Sequence, residues 1–207
     1  MKSHRIQGKT LAEITDEQLI DLFRGGDAHA FTQLVKRYER ELYNFLLRFL
    51  GRRSMAEDIF QETFLQVHVS IETFQSNRRF RPWLYTIASN KARDYLRSKA
   101  RRPTVQISGA DDDDDMGNLW DYLKTEETTA EDILMKKQQQ ELVRRVVDQL
   151  PDHLRQILIL AYFSQLSYQE MADVLEIPLG TVKSRLHSAV ANFGRLFNEQ
   201  TEQEKRS

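Results

Sequence analysis

The sequence predicts an all-α chain of two small helical domains joined by a flexible acidic linker. Three observations carry that expectation. Apolar residues recur at helical spacing in one stripe after another, and no alternating strand pattern of any length occurs. The periodicity then vanishes across residues 103–129, where five consecutive aspartates stand at 111–115. So polar a stretch cannot bury enough surface to offset its ordering entropy, which sets the domains at 1–102 and 130–207.

The elements follow in order. Thr15 and Gln18 have the spacing of a capping box, in which each side chain satisfies a backbone N–H at a helix start. Gly25-Gly26 breaks that first helix. Phe31, Leu34, Val35, Tyr38, Leu42, Phe45, Leu46 and Phe49 make the next stripe, which Gly51 ends. Ser54 with Glu57 repeats the capping-box spacing ahead of Ala56, Ile59, Phe60, Thr63, Phe64 and Val67. Pro82 suits a first helical turn, and Trp83, Leu84, Ile87, Ala88 and Tyr95 follow as a stripe. Beyond the linker, helices resume near Ala130 with Ile133, Leu134, Leu142, Val143, Val146, Val147 and Leu150. Pro151 punctuates before a helix over 154–163. Ser167 with Glu170 starts another, and Glu176-Ile177-Pro178 stops it, because a residue before proline is pushed out of the helical region.

Composition bounds the function. With 207 residues, 40% hydrophobic, the chain can build real cores, and 29% charged residues mean much solvated surface. It has no cysteine, so disulfides and thiolate zinc sites are excluded. There is no 18-residue apolar run and no apolar stretch of a signal peptide at the N-terminus, so no membrane insertion and a cytoplasmic location are expected. The net charge of −1 conceals two opposed blocks: nine Lys/Arg against Asp94 over 78–102, and ten Asp/Glu against Lys124 over 109–132. A basic face and an acidic tether are thereby expected.

The stretch LSYQEMADVLEIPLGTVKSRLHSA (166–189) reads as two short helices with a tight break. Tyr168, Met171, Ala172 and Leu175 face inward on the first. Val182, Leu186, Ala189 or Val190, and Phe193 face inward on the second. Thr181, Lys183, Ser184, His187 and Ser188 are left outward, with Arg185 near the border, and no acid occurs from 177 to 197. Short polar and cationic side chains near a helix N-terminus suit the major groove. On the residues alone, an ordinary helical hairpin in a bundle stays open.

Two stretches of the first domain also carry chemistry. SMAEDIFQETFLQVH (54–68) puts Glu57, Asp58, Gln61 and Glu62 on the solvent side of an amphipathic helix, which by itself is a solvated acidic face. FQSNRRFRPWLYTIASNKARDYLRSKARR (74–102) interleaves Phe74, Phe80, Trp83, Tyr85 and Tyr95 with nine basic residues. Aromatics stack on unpaired bases while cations track a backbone, the composition for single-stranded DNA. The alternative is that Trp83, Leu84 and most of the aromatics are simply core.

These motifs resemble bacterial RNA polymerase sigma factors of the extracytoplasmic-function (ECF) group. LSYQEMADVLEIPLGTVKSRLHSA, with LPDHLRQILILAYF (150–163) before it, resembles region four, a helix-turn-helix domain; AEDIFQETF resembles region 2.2, and FRPWLYTIASNKARDYLR resembles regions 2.3 and 2.4. The resemblance implies a non-enzymatic factor, without metal or cofactor, that directs core polymerase to promoters and opens the strands. Glu57, Asp58, Gln61 and Glu62 would grip the β′ clamp helices, and the second domain would dock on the β flap. Lys183, Ser184, His187 and Ser188 would meet base edges or the groove of the minus-thirty-five element, with Thr181 and Arg185 on phosphates. Around the minus-ten element, the loop 75–79, with Asn77 central, Arg78 within it and Phe80 beside it, would help hold a flipped base. Asn90, Arg93, Asp94 and Arg97 would face the strand. An anti-sigma protein is a further partner that the resemblance admits.

The chain departs from the family at three positions. Glu176 stands where glycine is usual, so the turn must manage without easy left-handed geometry. Ser188 and Val190 replace frequent arginines, which weakens phosphate anchoring. The aspartate run fails the EF-hand template, since Met116 and Leu123 fall on ligand positions. It is either a solvated tether or, by resemblance, an imitation of a nucleic-acid strand in the polymerase RNA channel. The main rival reading is a stand-alone helix-turn-helix regulator with an N-terminal sensor or dimerisation module. An enzyme finds no nucleophile–base pair and no glycine-rich phosphate loop to support it.

Overall fold

The structure, a computed structural model, describes residues 5–6, 9–75, 78–101 and 130–204. The acidic linker and Asn77 lie outside the described residues. The elements are a two-residue antiparallel pair, β1 (Arg5–Ile6) with β2 (Lys9–Thr10), then α1 (Asp16–Arg24), α2 (Ala28–Leu50), α3 (Arg53–Ser70), a 3₁₀ turn (Ile71–Thr73) and α4 (Phe80–Arg101). After the linker come α5 (Ala130–Asp148), α6 (Asp152–Tyr162), α7 (Tyr168–Leu175) and α8 (Leu179–Glu204). The fold is all-α, and the helices divide between two compact units.

In the first unit α2 is the spine, packed by α1, α3 and α4, with α3 also against α4. Its stripe explains this. Leu34, Leu42, Phe45, Leu46 and Phe49 are sealed from solvent, and so are Ala56, Ile59 and Val67 of α3 and Leu84, Tyr85, Ala88 and Ala92 of α4. Each large apolar side chain buried this way contributes about 2 kcal/mol. Tyr85 can be enclosed because its hydroxyl donates to Glu41 Oε1 at 2.7 Å. The capping box at Thr15 is formed, with Gln18 N–H to Thr15 Oγ1 at 3.3 Å and Thr15 N–H to Gln18 Oε1 at 3.0 Å. Gly26 (φ 97°) and Gly51 (φ 74°) make the left-handed breaks.

One expected start fails. α3 begins at Arg53 behind an extended Arg52 that offers no side-chain cap, so Ser54 already lies inside the first turn. Glu57 instead reaches back to Arg53 at 3.6 Å. Near the N-terminus, Arg37 holds the segment ahead of α1 by donating to the carbonyls of Ala12 (3.2 Å) and Ile14 (2.8 Å) and to Asp16 (2.6 Å). Tyr38 donates to the same carboxylate, and burial together with that bond pushes its phenol far above the ordinary range.

In the second unit α8 packs against α5 and α6. Leu142, Val146, Leu154, Ile157, Ile159 and Leu160 are buried, as are Met171, Val182 and Leu186. The Ser167–Glu170 box is formed, Glu170 N–H to Ser167 Oγ at 3.2 Å and Ser167 N–H to Glu170 Oε2 at 2.9 Å. At the α7–α8 turn Glu176 takes left-handed geometry, at φ 53°, without the ease a glycine would bring. Ile177 N–H then closes on Ala172 O at 3.1 Å, the bond of a Schellman helix end. A non-glycine residue there costs about 1 kcal/mol. One inward assignment changes, because Tyr168 is 48% exposed; of the two positions left open on α8, Ala189 is the buried one and Val190 is 43% exposed.

Candidate nucleic-acid interface

On α3 the apolar stripe turned to the core forces the intervening positions outward. Glu57, Asp58, Gln61 and Glu62 are all exposed, and the face continues one and two turns on into Leu65 (67% exposed) and Val69 (75%). Glu57 pairs with Arg53, and Glu62 accepts from Lys91 of α4 at 3.3 Å. Asp58 and Gln61 have no hydrogen-bond or ion-pair partner among the described residues. The presence of two large apolar side chains at the end of an acidic face was not anticipated. The signal was available, since both positions fall outside the buried stripe.

On α4 the expected contacts separate. Asn90, Arg93, Asp94 and Arg97 share one face at i, i+3, i+4 and i+7; Asp94 and Arg97 are exposed, and Asn90 and Arg93 half-buried. They are partnered among themselves: Arg93 donates to Asn90 Oδ1, and Arg97 lies 3.6 Å from Asp94. Arg78 and Arg79 are exposed just ahead of the helix. Phe80 is a correction. Only 1% exposed, its ring is enclosed by Tyr38 (5.4 Å), Phe74 (6.0 Å) and Trp83 (5.8 Å), which leaves no face for a base. Phe74 and Tyr85 are buried as well, while Trp83 is half-buried with its ring 4.8 Å from Phe74. Arg81 is also turned to structure, its Nε 2.9 Å from Glu41 and its charge over the Tyr85 ring at 5.6 Å.

On α8, Val182, Leu186 and Ala189 seal the inner face, so Lys183, Ser184, His187 and Ser188 are exposed, with Thr181 and Arg185 at the border. Lys183, Arg185 and His187 have no hydrogen-bond or ion-pair partner among the described residues. Ser184 Oγ returns to Thr181 O at 3.1 Å. Gly180, near the helix start, would accept a Cβ without contact, so its size is not a packing requirement.

Known proteins sort these surfaces into a family. The model of Sigma-70 region 2 matches residues 34–102, and that of Sigma-70 region 4 matches 140–192. The ECF RNA polymerase sigma-E factor of Haemophilus influenzae is 32% identical over 177 residues, 86% of this chain and 92% of the relative. This chain belongs to the ECF sigma factors. It is a promoter-recognising factor of RNA polymerase. The sigma factor SigW of Bacillus subtilis is 31% identical over 175 residues, 84% and 92% of the two chains. Among solved structures, CnrH in complex with the cytosolic domain of CnrY superposes with a TM-score of 0.63 at 24% identity, over 89% of this chain and 97% of that one. The sigma factor RpoE from Bartonella quintana, in complex with the anti-sigma factor NepR, gives 0.59 at 20% identity, over 81% and 96%. Both share the fold. Among the described residues no helix is long and apolar enough to cross a membrane.

Proposed function

We propose that this ECF sigma factor divides promoter work among three helices. α3 grips core polymerase through Glu57, Asp58, Gln61 and Glu62, whose carboxylates suit a basic clamp helix of β′. The loop 75–79 and the Asn90, Arg93, Asp94 and Arg97 face of α4 take the opened minus-ten strand, with Arg78 and Arg79 on its phosphates. α8 reads the upstream element through Lys183, Ser184, His187 and Ser188, with Thr181 and Arg185 on the backbone, while its unit docks on the β flap. In this division 1–102 is the region 2 domain, 103–129 a linker and 130–207 the region 4 domain. The chain performs no catalysis of its own, works in the cytoplasm beside the polymerase, and is restrained by an anti-sigma protein.

The observation that supports this most strongly is the sorting of side chains on these helices. Each seals an apolar face, and nearly every polar residue named above stands on the other. Reconstitution tests it. Core polymerase with the chain should give run-off transcripts from a promoter retrieved from its own genome, Asp58→Lys should abolish them through lost core binding, and Lys183→Ala should change promoter preference. Full activity of Asp58→Lys would remove α3 from the polymerase interface.

A further inference from the structure

Arg24 ends α1, and its guanidinium crosses to the turn between α3 and α4. Nε donates to Ile71 O at 3.2 Å, and Nη2 to Ile71 O (2.6 Å), Glu72 O (3.3 Å) and Phe74 O (2.5 Å). The 3₁₀ turn Ile71–Thr73 follows directly on α3 and turns these carbonyls toward one point; Ile71 O also accepts from Phe74 N–H at 3.2 Å. A rigid fork of donors can meet three of them at once; an ammonium on a flexible stem cannot hold the same plane.

What Arg24 holds is the point where the chain leaves the core. Phe74 is the last buried residue before the loop, with its ring against Trp83 at 4.8 Å. Gln75 is exposed next, and Arg78 N–H closes on Gln75 O at 3.0 Å. We infer that Arg24 is a positioning residue for strand opening: by clamping the carbonyls of Ile71, Glu72 and Phe74 it sets where Gln75, Arg78 and Arg79 meet the displaced strand. Its side chain is 22% exposed, and Nε and Nη2 are committed to these carbonyls, so it acts through the loop and not on DNA. The inference rests on the strand-opening reading proposed above.

Kinetics of the reconstituted holoenzyme separate positioning from plain stability. With Arg24→Ala, core affinity and initial promoter binding should stay within about twofold, while the rate at which minus-ten thymines become permanganate-reactive falls about tenfold or more. Arg24→Lys should recover only part of that rate, and it carries the test if Arg24→Ala does not fold. Asp21→Asn, which breaks only an exposed 3.8 Å pair with Arg24, should open at the wild-type rate. Wild-type opening rates in both Arg24 variants overturn the inference, and so does an opening defect matched by equal losses of core affinity and thermal stability. If the wild type itself melts no bases with core polymerase, the strand-opening reading has failed and takes the inference with it.

Discussion

α4 and α8 both carry cations outward, but they hold them differently. On α4, Arg81 is tied to Glu41, Lys91 to Glu62, Arg93 to Asn90 and Arg97 to Asp94. On α8, Lys183, Arg185 and His187 have no partner among the described residues. Nine basic residues over 78–102 are therefore not nine free charges. Two hold α4 to its neighbours and two are paired within it, which gives an ordered surface. In the proposed division of work, α8 would have to order these side chains at the moment of binding, and that entropy would come out of its affinity. Ser188 and Val190, in place of the family's frequent arginines, deepen this dependence on the rest of the assembly.

The sharpest way to break the contrast is at Glu41. Glu41→Ala removes the carboxylate that takes both the Tyr85 hydroxyl and Arg81 in a half-buried site, so the first unit should lose about 3 kcal/mol in thermal unfolding. An unchanged melting temperature would mean that α4 is not anchored this way. No side chain on the reading face of α8 should cost stability to that extent. There the loss should fall on specificity: Lys183→Ala and His187→Ala should each remove about 2 kcal/mol of discrimination at the upstream element, measured with holoenzyme on substituted promoters. Glu176→Gly should raise stability by about 1 kcal/mol, since glycine meets φ 53° without a Cβ clash. A destabilised glycine variant would show that the Glu176 side chain contributes more than its backbone costs.

Two smaller effects sharpen the comparison. Arg97→Ala removes only an exposed pair, so unfolding should shift by about 0.5 kcal/mol or less, while the slope of log affinity against log salt falls by about one. At Asp148, burial raises the carboxyl above its usual value against the opposing charges of Arg144 and Arg155. The folded unit therefore keeps this proton to higher pH than the unfolded chain does. Its contribution is full below the unfolded value of about 3.9 and is lost as pH rises through the raised one. Asp148→Asn should thus gain a fraction of about 1 kcal/mol at neutral pH and nothing near pH 3, by urea titration at both.

The helices were legible because their periodicity and caps are local. Thr15 with Gln18 and Ser167 with Glu170 satisfy each other across three residues, and Gly26 and Gly51 supply backbone geometry that few other residues adopt. The same local logic failed at Ser54, whose spacing to Glu57 matches a capping box although the helix had already begun at Arg53. Glu176 shows what a missing glycine implies, since the helix end imposes a left-handed residue on a side chain that disfavours it. The surfaces were half legible. Outward positions on α3 and α8 follow from the buried stripe, whereas Phe80 looked available beside so many cations. Its enclosure depends on Tyr38, far away in sequence, and no local pattern reports that. Arg24 and Glu41 were invisible for the same reason, their partners lying roughly forty to fifty residues on.

In the proposed function α8 reads DNA only as one arm of the polymerase. A gel-shift titration of one promoter fragment, with the full chain alone and with the chain plus core polymerase, tests it directly. No specific shift is expected from the chain alone at concentrations where the holoenzyme binds fully. A tight, specific complex without polymerase would contradict it and restore the stand-alone regulator.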